Sequence, residues 1–341
     1  MKYLSELLAV VADKVQPPVL VVMGSPWPVT QIVAALGVET VCYQQDVFQA
    51  DRLREKLAEN NVAAEVLASA DLWDLPAKFG TAIFPAAAHA DRDLKLDMIE
   101  QGFHVLREGG LFITLSEYRK DTQIAKWQKK VFGKCGESPK AKIGMAFWSP
   151  RTGDQPRRRH EITFHARIGE APSMSIASWP GTFSYGRMDG GSRAMLEVAD
   201  IRPGDRVLDM GCGNGAVGCL ASPRVGPTGS VTFVDSNARA VALARKNAEA
   251  NGVTNASFVT SATLGGLDPH SFDVILANPP YYAKSEVARL FVSSGSELLK
   301  RGGRFYFVTR MPVETLPEVV NTFGQVESIE NRGYTVVIAR A

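Results

Sequence analysis

The feature that most constrains the fold is an internal repeat. The segment FGTAIFPAAAHADRDLKLDMIEQGFHVLREGGLFITLSE, from Phe79, matches FDVILANPPYYAKSEVARLFVSSGSELLKRGGRFYFVTR, from Phe272, without a gap. Phe79 pairs with Phe272 and Gly109-Gly110 with Gly302-Gly303, both at an offset of 193. Upstream, VLVVMG at Val19 resembles RVLDMG at Arg206. Downstream, Phe132-Gly133 parallels Phe323-Gly324, and each is followed by a last β-like run. Four matches in one order make the chain of 341 residues two copies of one plan, as its length also implies.

Each copy alternates short β-branched runs with helical stretches, the pattern of a parallel sheet covered by helices. In the second copy RVLDMG reads as the first strand, with a helix over 216–221 after it. SVTFVD is the second strand, and the helix over 238–251 ends at the stop signal Asn251-Gly252. ASFVT is the third strand, FDVILAN the fourth, and a helix over 286–300 is closed by Gly302-Gly303. GRFYFVT is the fifth, and VESIE with YTVVIAR reads as a hairpin-like pair. The fold class is therefore α/β, with two tandem, doubly wound, mostly parallel sheets over residues 1–150 and 181–341. Between them SPRTGDQPRRRHEI and GEAPSMSIASWPGTFSYG, rich in Pro, Gly and Ser, mark a connecting segment over 151–180. Sheets of this kind hold ligands at the carboxyl ends of their strands.

Composition excludes other classes. With 45% hydrophobic and 22% charged residues the chain has the makings of packed cores, not of a disordered, collagen-like or coiled-coil protein. No apolar run approaches the ~18–20 residues of a membrane span. The opening MKYLSELLAVVADKVQPP is broken by Glu6 and Asp13, which suits a packed helix rather than a signal peptide. Cys42, Cys135, Cys212 and Cys219 form no CxxC pair and no zinc spacing, so no metal is expected and the cysteines fit a reducing cytoplasm. A monomer is expected.

The first strand of the second copy runs into Asp209-Met210-Gly211-Cys212-Gly213-Asn214-Gly215. Glycines at a strand-to-helix turn permit positive φ and let a ligand approach the backbone. Asp235 ends the second strand, where a ribose hydroxyl pair would be gripped. A carboxylate at Asp209 would repel a dinucleotide's pyrophosphate, which needs a bare helix N-terminus. It suits S-adenosylmethionine, which carries an ammonium and a sulfonium and no phosphate. The spacing is G-x-G-x-G rather than G-x-G-x-x-G, and no P-loop pattern is present. The plainer alternative for Asp209 is an acid that caps the following helix.

The fourth strand ends in Asn278-Pro279-Pro280-Tyr281. The prolines stiffen the loop and remove two donors. The Asn278 side-chain oxygen and the Pro279 carbonyl could accept the hydrogens of an exocyclic amine, turning its lone pair towards a methyl donor. Tyr281 offers a face on which a base could stack. The alternative is a strand terminator with a tyrosine packed beside it.

Together these two motifs resemble the amino-directed class I methyltransferases, with their Rossmann-like fold. Gly181-Thr182-Phe183-Ser184 followed by Met188-Asp189-Gly190-Gly191-Ser192 further resembles the ribosomal RNA small-subunit methyltransferase C family, in which G-x-F-S and L-D-x-G-S elements precede the first strand. That resemblance implies a duplicated methyltransferase fold with only the C-terminal copy active. It implies a donor pocket lined by Phe183 and Asp189, and N2-methylguanosine in 16S ribosomal RNA as the product. Ser236 and Ala262 are expected to complete the donor contacts. Ser261-Ala262 stand where many methyltransferases place an acid beside the adenine, so adenine recognition must rest on other groups. Three readings stay open beside this one: a large-subunit guanine-N2 enzyme, a protein-glutamine methyltransferase, and a non-catalytic RNA-binding assembly factor.

The first copy keeps the scaffold and loses the chemistry. Val22 stands opposite Asp209, Gln44 opposite Asp235, and Pro85-Ala86-Ala87-Ala88 opposite the Asn-Pro-Pro-Tyr loop. Gly24-Ser25-Pro26-Trp27-Pro28 replaces the glycine loop. This copy is expected to serve as a structural or RNA platform. The net charge of +2 excludes a polycation, but it is an average: residues 119–167 hold thirteen Lys or Arg against four acids, a local +9. Lys129, Lys130, Arg157, Arg158 and Arg159 are the candidates there for RNA phosphate; a solvated helix face and linker is the alternative.

Overall fold

The offset of 193 is reproduced over residues 79–116 and 272–309 in the computed structural model, which describes residues 3–88, 90–139, 144–279 and 285–341. The chain divides into two units, Met1–His160 and Glu161–Ala341. In the first unit the strands are β1 (Val19–Val22), β2 (Thr40–Gln44), β3 (Glu65–Ala68), β4 (Phe79–Ala86), β5 (Leu106–Ser116), β6 (Gly136–Glu137) and β7 (Met145–Pro150). Its helices are α1 (Tyr3–Ala9), α2 (Pro26–Leu36), α3 (Val47–Glu59), α4 (Arg92–Val105) and α5 (Thr122–Phe132). The sheet runs β3-β2-β1-β4-β5-β7-β6, parallel from β3 to β5, with β7 antiparallel to β5.

The second unit opens with β8 (Ile162–Ala166) and β9 (Met174–Ser178), an antiparallel pair inside the stretch that reads in sequence as a connecting segment. There follow α6 (Gly190–Val198), β10 (Arg206–Met210), α7 (Ala216–Val225), β11 (Ser230–Asp235), α8 (Ala238–Ala250), β12 (Ala256–Thr260), β13 (Phe272–Ala277), α9 (Ser285–Leu298), β14 (Leu299–Thr309), α10 (Pro312–Phe323), β15 (Val326–Asn331) and β16 (Tyr334–Arg340). The sheet order β12-β11-β10-β13-β14-β16-β15 is that of the first unit, and β10 lies at the switch point between β11 and β13.

The duplication extends to irregularities. Phe79 pairs with Leu106 and the register then jumps to Thr81–Leu111; Phe272 pairs with Leu299 and jumps to Val274–Arg304. Gly102 in α4 and Gly295 in α9 each lie under a phenylalanine of the next strand. A Cβ at either would fall 2.1 Å from Phe112 or 2.7 Å from Phe305. β1 and β4 are buried along their whole length and β13 at every position but Asp273, as a parallel sheet covered on both faces requires.

One helix is longer than the sequence implies. α7 continues from Ala221 through Pro223 to Val225. Proline cannot donate to the carbonyl four residues back, and the Ser222 hydroxyl donates to that Cys219 carbonyl instead (2.9 Å). No described helix is long and apolar enough to cross a membrane.

The turn from β10 into α7 is packed against α8 through Gly215. A Cβ there would sit 2.7 Å from the Ala244 Cβ and 2.8 Å from its Cα, and φ is +77°. Gly215→Ala should therefore destabilise the protein by about 1–3 kcal/mol, seen as a lower urea midpoint; an unchanged midpoint would show that α8 yields freely.

Candidate active site

Three glycines shape the loop after β10: Gly211 (φ +72°), Gly213 (+53°) and Gly215 (+77°) all take the left-handed conformation. The Gly211 and Cys212 N–H groups both donate to the Val234 carbonyl at 2.9 Å, tying the loop to β11. Asp235, at the tip of β11, accepts from the Gly213 N–H (2.9 Å) and the Asn237 N–H (2.8 Å). Asp209, one residue before the end of β10, is 3% exposed, and its Oδ2 accepts from the Gly218 N–H in the first turn of α7 (2.8 Å). The helix-capping alternative is thus realised, and Asp209 is also one of the residues that line a cleft. Burial pushes the Asp209 pKa up to about 7; the Gly218 hydrogen bond opposes the rise and the nearby Asp235 charge adds to it.

The opposite wall is built by residues 181–189. The Thr182 hydroxyl donates to the Trp179 carbonyl (2.6 Å), and the Gly186 N–H to the Ser178 hydroxyl (3.0 Å). Arg239, 1% exposed in the first turn of α8, donates to the Pro180 carbonyl (2.8 Å). Phe183 remains 40% exposed, its Cβ 3.6 Å from where Gly213 would carry one. Asp189 caps α6: its Oδ1 accepts from the Ser192 N–H (2.8 Å) and from Asn278 Nδ2 (2.7 Å). Asn278 Nδ2 also donates to the Ser192 hydroxyl (2.8 Å). With both amide hydrogens directed at α6, Asn278 Oδ1 is turned the other way.

These groups line an open cleft. Phe183, Asp189, Asp209, Gly211, Gly213 and Asn278 line it. Gly215, Asp235, Ser236 and Ala262 are not among the residues that line it; Ser236 and Ala262 are half-buried just after β11 and β12. Pro279 is buried at the end of β13, and Pro280 and Tyr281 lie outside the described residues. Among the described residues no group of three or more His, Cys, Asp or Glu is placed to hold a metal ion.

The first unit shows what the same strand tips become without this chemistry. Val22 is fully buried where Asp209 stands. Gln44 Nε2 donates to the Gly24 carbonyl (2.9 Å), reversing the polarity of the Asp235–Gly213 bond. Pro85 closes on Gly24, its Cγ 2.8 Å from where a Cβ would be.

Of the basic candidates, Lys129 and Lys130 are exposed in the last turn of α5, and Arg157 and Arg158 are exposed near the end of the first unit. Arg159 is engaged within that unit: Asp71 takes its guanidinium at 2.6 Å and the Trp73 ring lies 4.7 Å away. Arg157 also lies over Trp73, at 5.9 Å.

Two positioning groups, Arg239 and Asn247, are missed by sequence reasoning, and Ser192 is read there only as the end of a motif, without its bond to Asn278. Asn247 is 1% exposed and binds the Ala177 N–H and C=O and the Asn214 C=O, each at 2.8 Å. An asparagine within a helix is a weak signal of such a role, since its side chain competes with the backbone.

The Methyltransferase small domain family matches residues 173–338. The ribosomal RNA small subunit methyltransferase C of Pseudomonas paraeruginosa is 30% identical over 240 residues, 68% of this chain and 71% of that protein. The Pseudomonas entomophila protein of the same name is 32% identical over 51% of this chain and 52% of its own. The ribosomal RNA large subunit methyltransferase G of Streptomyces griseus is 31% identical over 55% of this chain and 50% of its own. The chain thus spans about half the length of most of the curated relatives it matches. Among solved structures, the T. thermophilus 16S rRNA N2 methyltransferase in complex with AdoMet and guanosine shares the fold, with a TM-score of 0.76, 19% identity, and 98% of this chain and 91% of that one covered.

The buried Asp209 carboxyl has a consequence for stability. Its pKa rises from 3.8 to about 7 on folding, so between these values the folded state holds a proton that the unfolded state has lost. Its contribution to stability therefore declines as pH rises through that window. Asp209→Asn removes this loss and should raise the melting temperature at pH 8 by more than at pH 5. An equal shift at both pH values would show that Asp209 is ionised throughout.

Proposed function

The chain belongs to the ribosomal RNA small subunit methyltransferase C family, and from that premise we propose that its second unit transfers a methyl group from S-adenosylmethionine to the exocyclic N2 amine of a guanine in ribosomal RNA, the 16S RNA being favoured. The observation that carries this reading is the fixed amide of Asn278. Asp189 and Ser192 hold its hydrogens and so fix the plane of the amide whose oxygen, in this reading, accepts from the amine.

The residues present fit this donor. Asp209 is a buried carboxyl whose pKa is raised by its burial, and an ammonium or sulfonium would supply the cation that favours its charge. Its place at the α7 N-terminus occupies the position a pyrophosphate would need. Asp235 holds the Gly213 turn in place, and a carboxylate has the acceptor capacity to receive a ribose hydroxyl as well. Phe183 offers an apolar face above Gly213.

When bound, S-adenosylmethionine supplies a methyl group on a positively charged sulfur that departs as a neutral thioether. The chain's part is to orient the amine. Asn278 Oδ1 and the Pro279 carbonyl accept its hydrogens, turn the lone pair towards the methyl group and stabilise the charge developing on nitrogen. The first unit, with its collapsed loop, serves as an RNA platform, and Lys129, Lys130, Arg157 and Arg158 contact phosphate.

A large-subunit RNA is the second reading, supported by the 31% identity to the Streptomyces griseus enzyme. The intact Asp209, Asp235 and Asn278 disfavour a non-catalytic assembly factor.

Tritiated donor offered with 30S subunits, 50S subunits and naked RNAs, followed by nucleoside analysis, tests the assignment. Labelled N2-methylguanosine from the small subunit is expected, and label in another nucleoside would overturn it. Asn278→Ala should lower the rate by about 10²–10³-fold with donor affinity little changed; full activity in this variant would remove the role given to the amide. Calorimetry should find one donor per chain, whereas two would show that the first unit also binds.

A further inference from the structure

We propose that Arg187 binds the carboxylate at the amino-acid end of the methyl donor, an assignment that rests on the donor reading above. Arg187 lies between Phe183 and Asp189 in the wall of the cleft, and its side chain is exposed. The backbone that carries it is fixed. Its N–H donates to the Ser184 carbonyl (3.2 Å), closing a turn in which Ser184 has φ +58° and Gly186 +75°. The Gly186 N–H is in turn anchored on the Ser178 hydroxyl.

Two observations point to a ligand. Among the described residues Arg187 is the one cationic residue that lines the cleft, which Asp189 and Asp209 line as well. Among those residues, too, no carboxylate, carbonyl or ring takes its guanidinium. Other arginines of the unit are engaged by protein groups: Arg193 by the Arg167 carbonyl, Arg239 by the Pro180 carbonyl, and Arg310 by the Tyr334 hydroxyl and ring.

The chemistry of the donor calls for such a group. Its ammonium and carboxylate share one carbon, so the carboxylate must lie close to whatever receives the ammonium. Asp209 and Asp189 attract the cationic groups and repel the carboxylate. A guanidinium in the same cleft offsets that repulsion and matches a carboxylate with two parallel N–H donors. An RNA phosphate is the competing partner for an exposed arginine, but it offers no reason for the cation to stand within the cleft beside the two acids.

Calorimetry with two ligands separates the possibilities. S-adenosylhomocysteine has the amino-acid end, and 5′-methylthioadenosine lacks it. Arg187→Ala in the full chain should weaken S-adenosylhomocysteine by roughly 10–100-fold and leave 5′-methylthioadenosine unchanged, with Arg187→Lys recovering part of the loss. Equal weakening of both ligands would show a role in shaping the cleft and overturn the proposal. So would unchanged binding of both ligands with a loss of affinity for ribosomal RNA. If the unaltered protein bound neither ligand, the donor reading itself would fall, a result distinct from either of these.

Discussion

The burial of a carboxyl at the switch point of a parallel sheet is the constraint around which the second unit is arranged. Asp209 sits between β11 and β13 with a backbone N–H as its partner, and burial holds its pKa at about 7. The Gly218 N–H in the first turn of α7 opposes that rise, as does the positive end of the helix dipole. Bringing α7 that close requires a loop that turns sharply three times, hence three left-handed glycines, one of them pressed against α8. Asp235 then holds the loop to the neighbouring strand.

The first unit shows that the scaffold does not need this charge. It has the same strand order, the same register jump at the start of the fourth strand and the same glycine-under-phenylalanine contact. With Val22 at the switch point no buried charge needs compensation there, and Pro85 is able to close on Gly24. Packing and site are thus separable: apolar burial makes the sheet, and the second unit adds a polar arrangement that is unfavourable until a cation meets it. Sites that bind charged ligands commonly carry perturbed groups of this kind.

Much of this architecture is legible in one sequence. The central strands are continuous apolar runs, and the gapless offset of 193 aligns residues 79–117 with 272–310. The hairpin β8–β9 is not legible. Ile162 is 44% exposed and most of β8 faces solvent, so no clean alternation marks it. It is held from outside, by Asn247 and Asn251 of the α8 region bonding to the backbone of Ala177 and Ser175. The length of α7 is hidden for a similar reason, since Pro223 reads as a stop and only Ser222 makes it tolerable.

The site divides in the same way. Asp209, the glycines and Asn278 announce themselves because each sits at a strand end, where spacing along the chain is spacing in space. Sequence determined their chemical types and their common edge of the sheet. It did not determine that Asn278 is oriented by Asp189 and Ser192, 89 and 86 positions earlier, or that Arg239 holds the Pro180 carbonyl, 59 positions earlier, from inside α8. It also counted Arg159 with the phosphate candidates, whereas Asp71 claims that charge, 88 positions away. A hydrogen bond depends on distance and angle at its two ends, and for partners so far apart in the chain only the packed tertiary structure sets either.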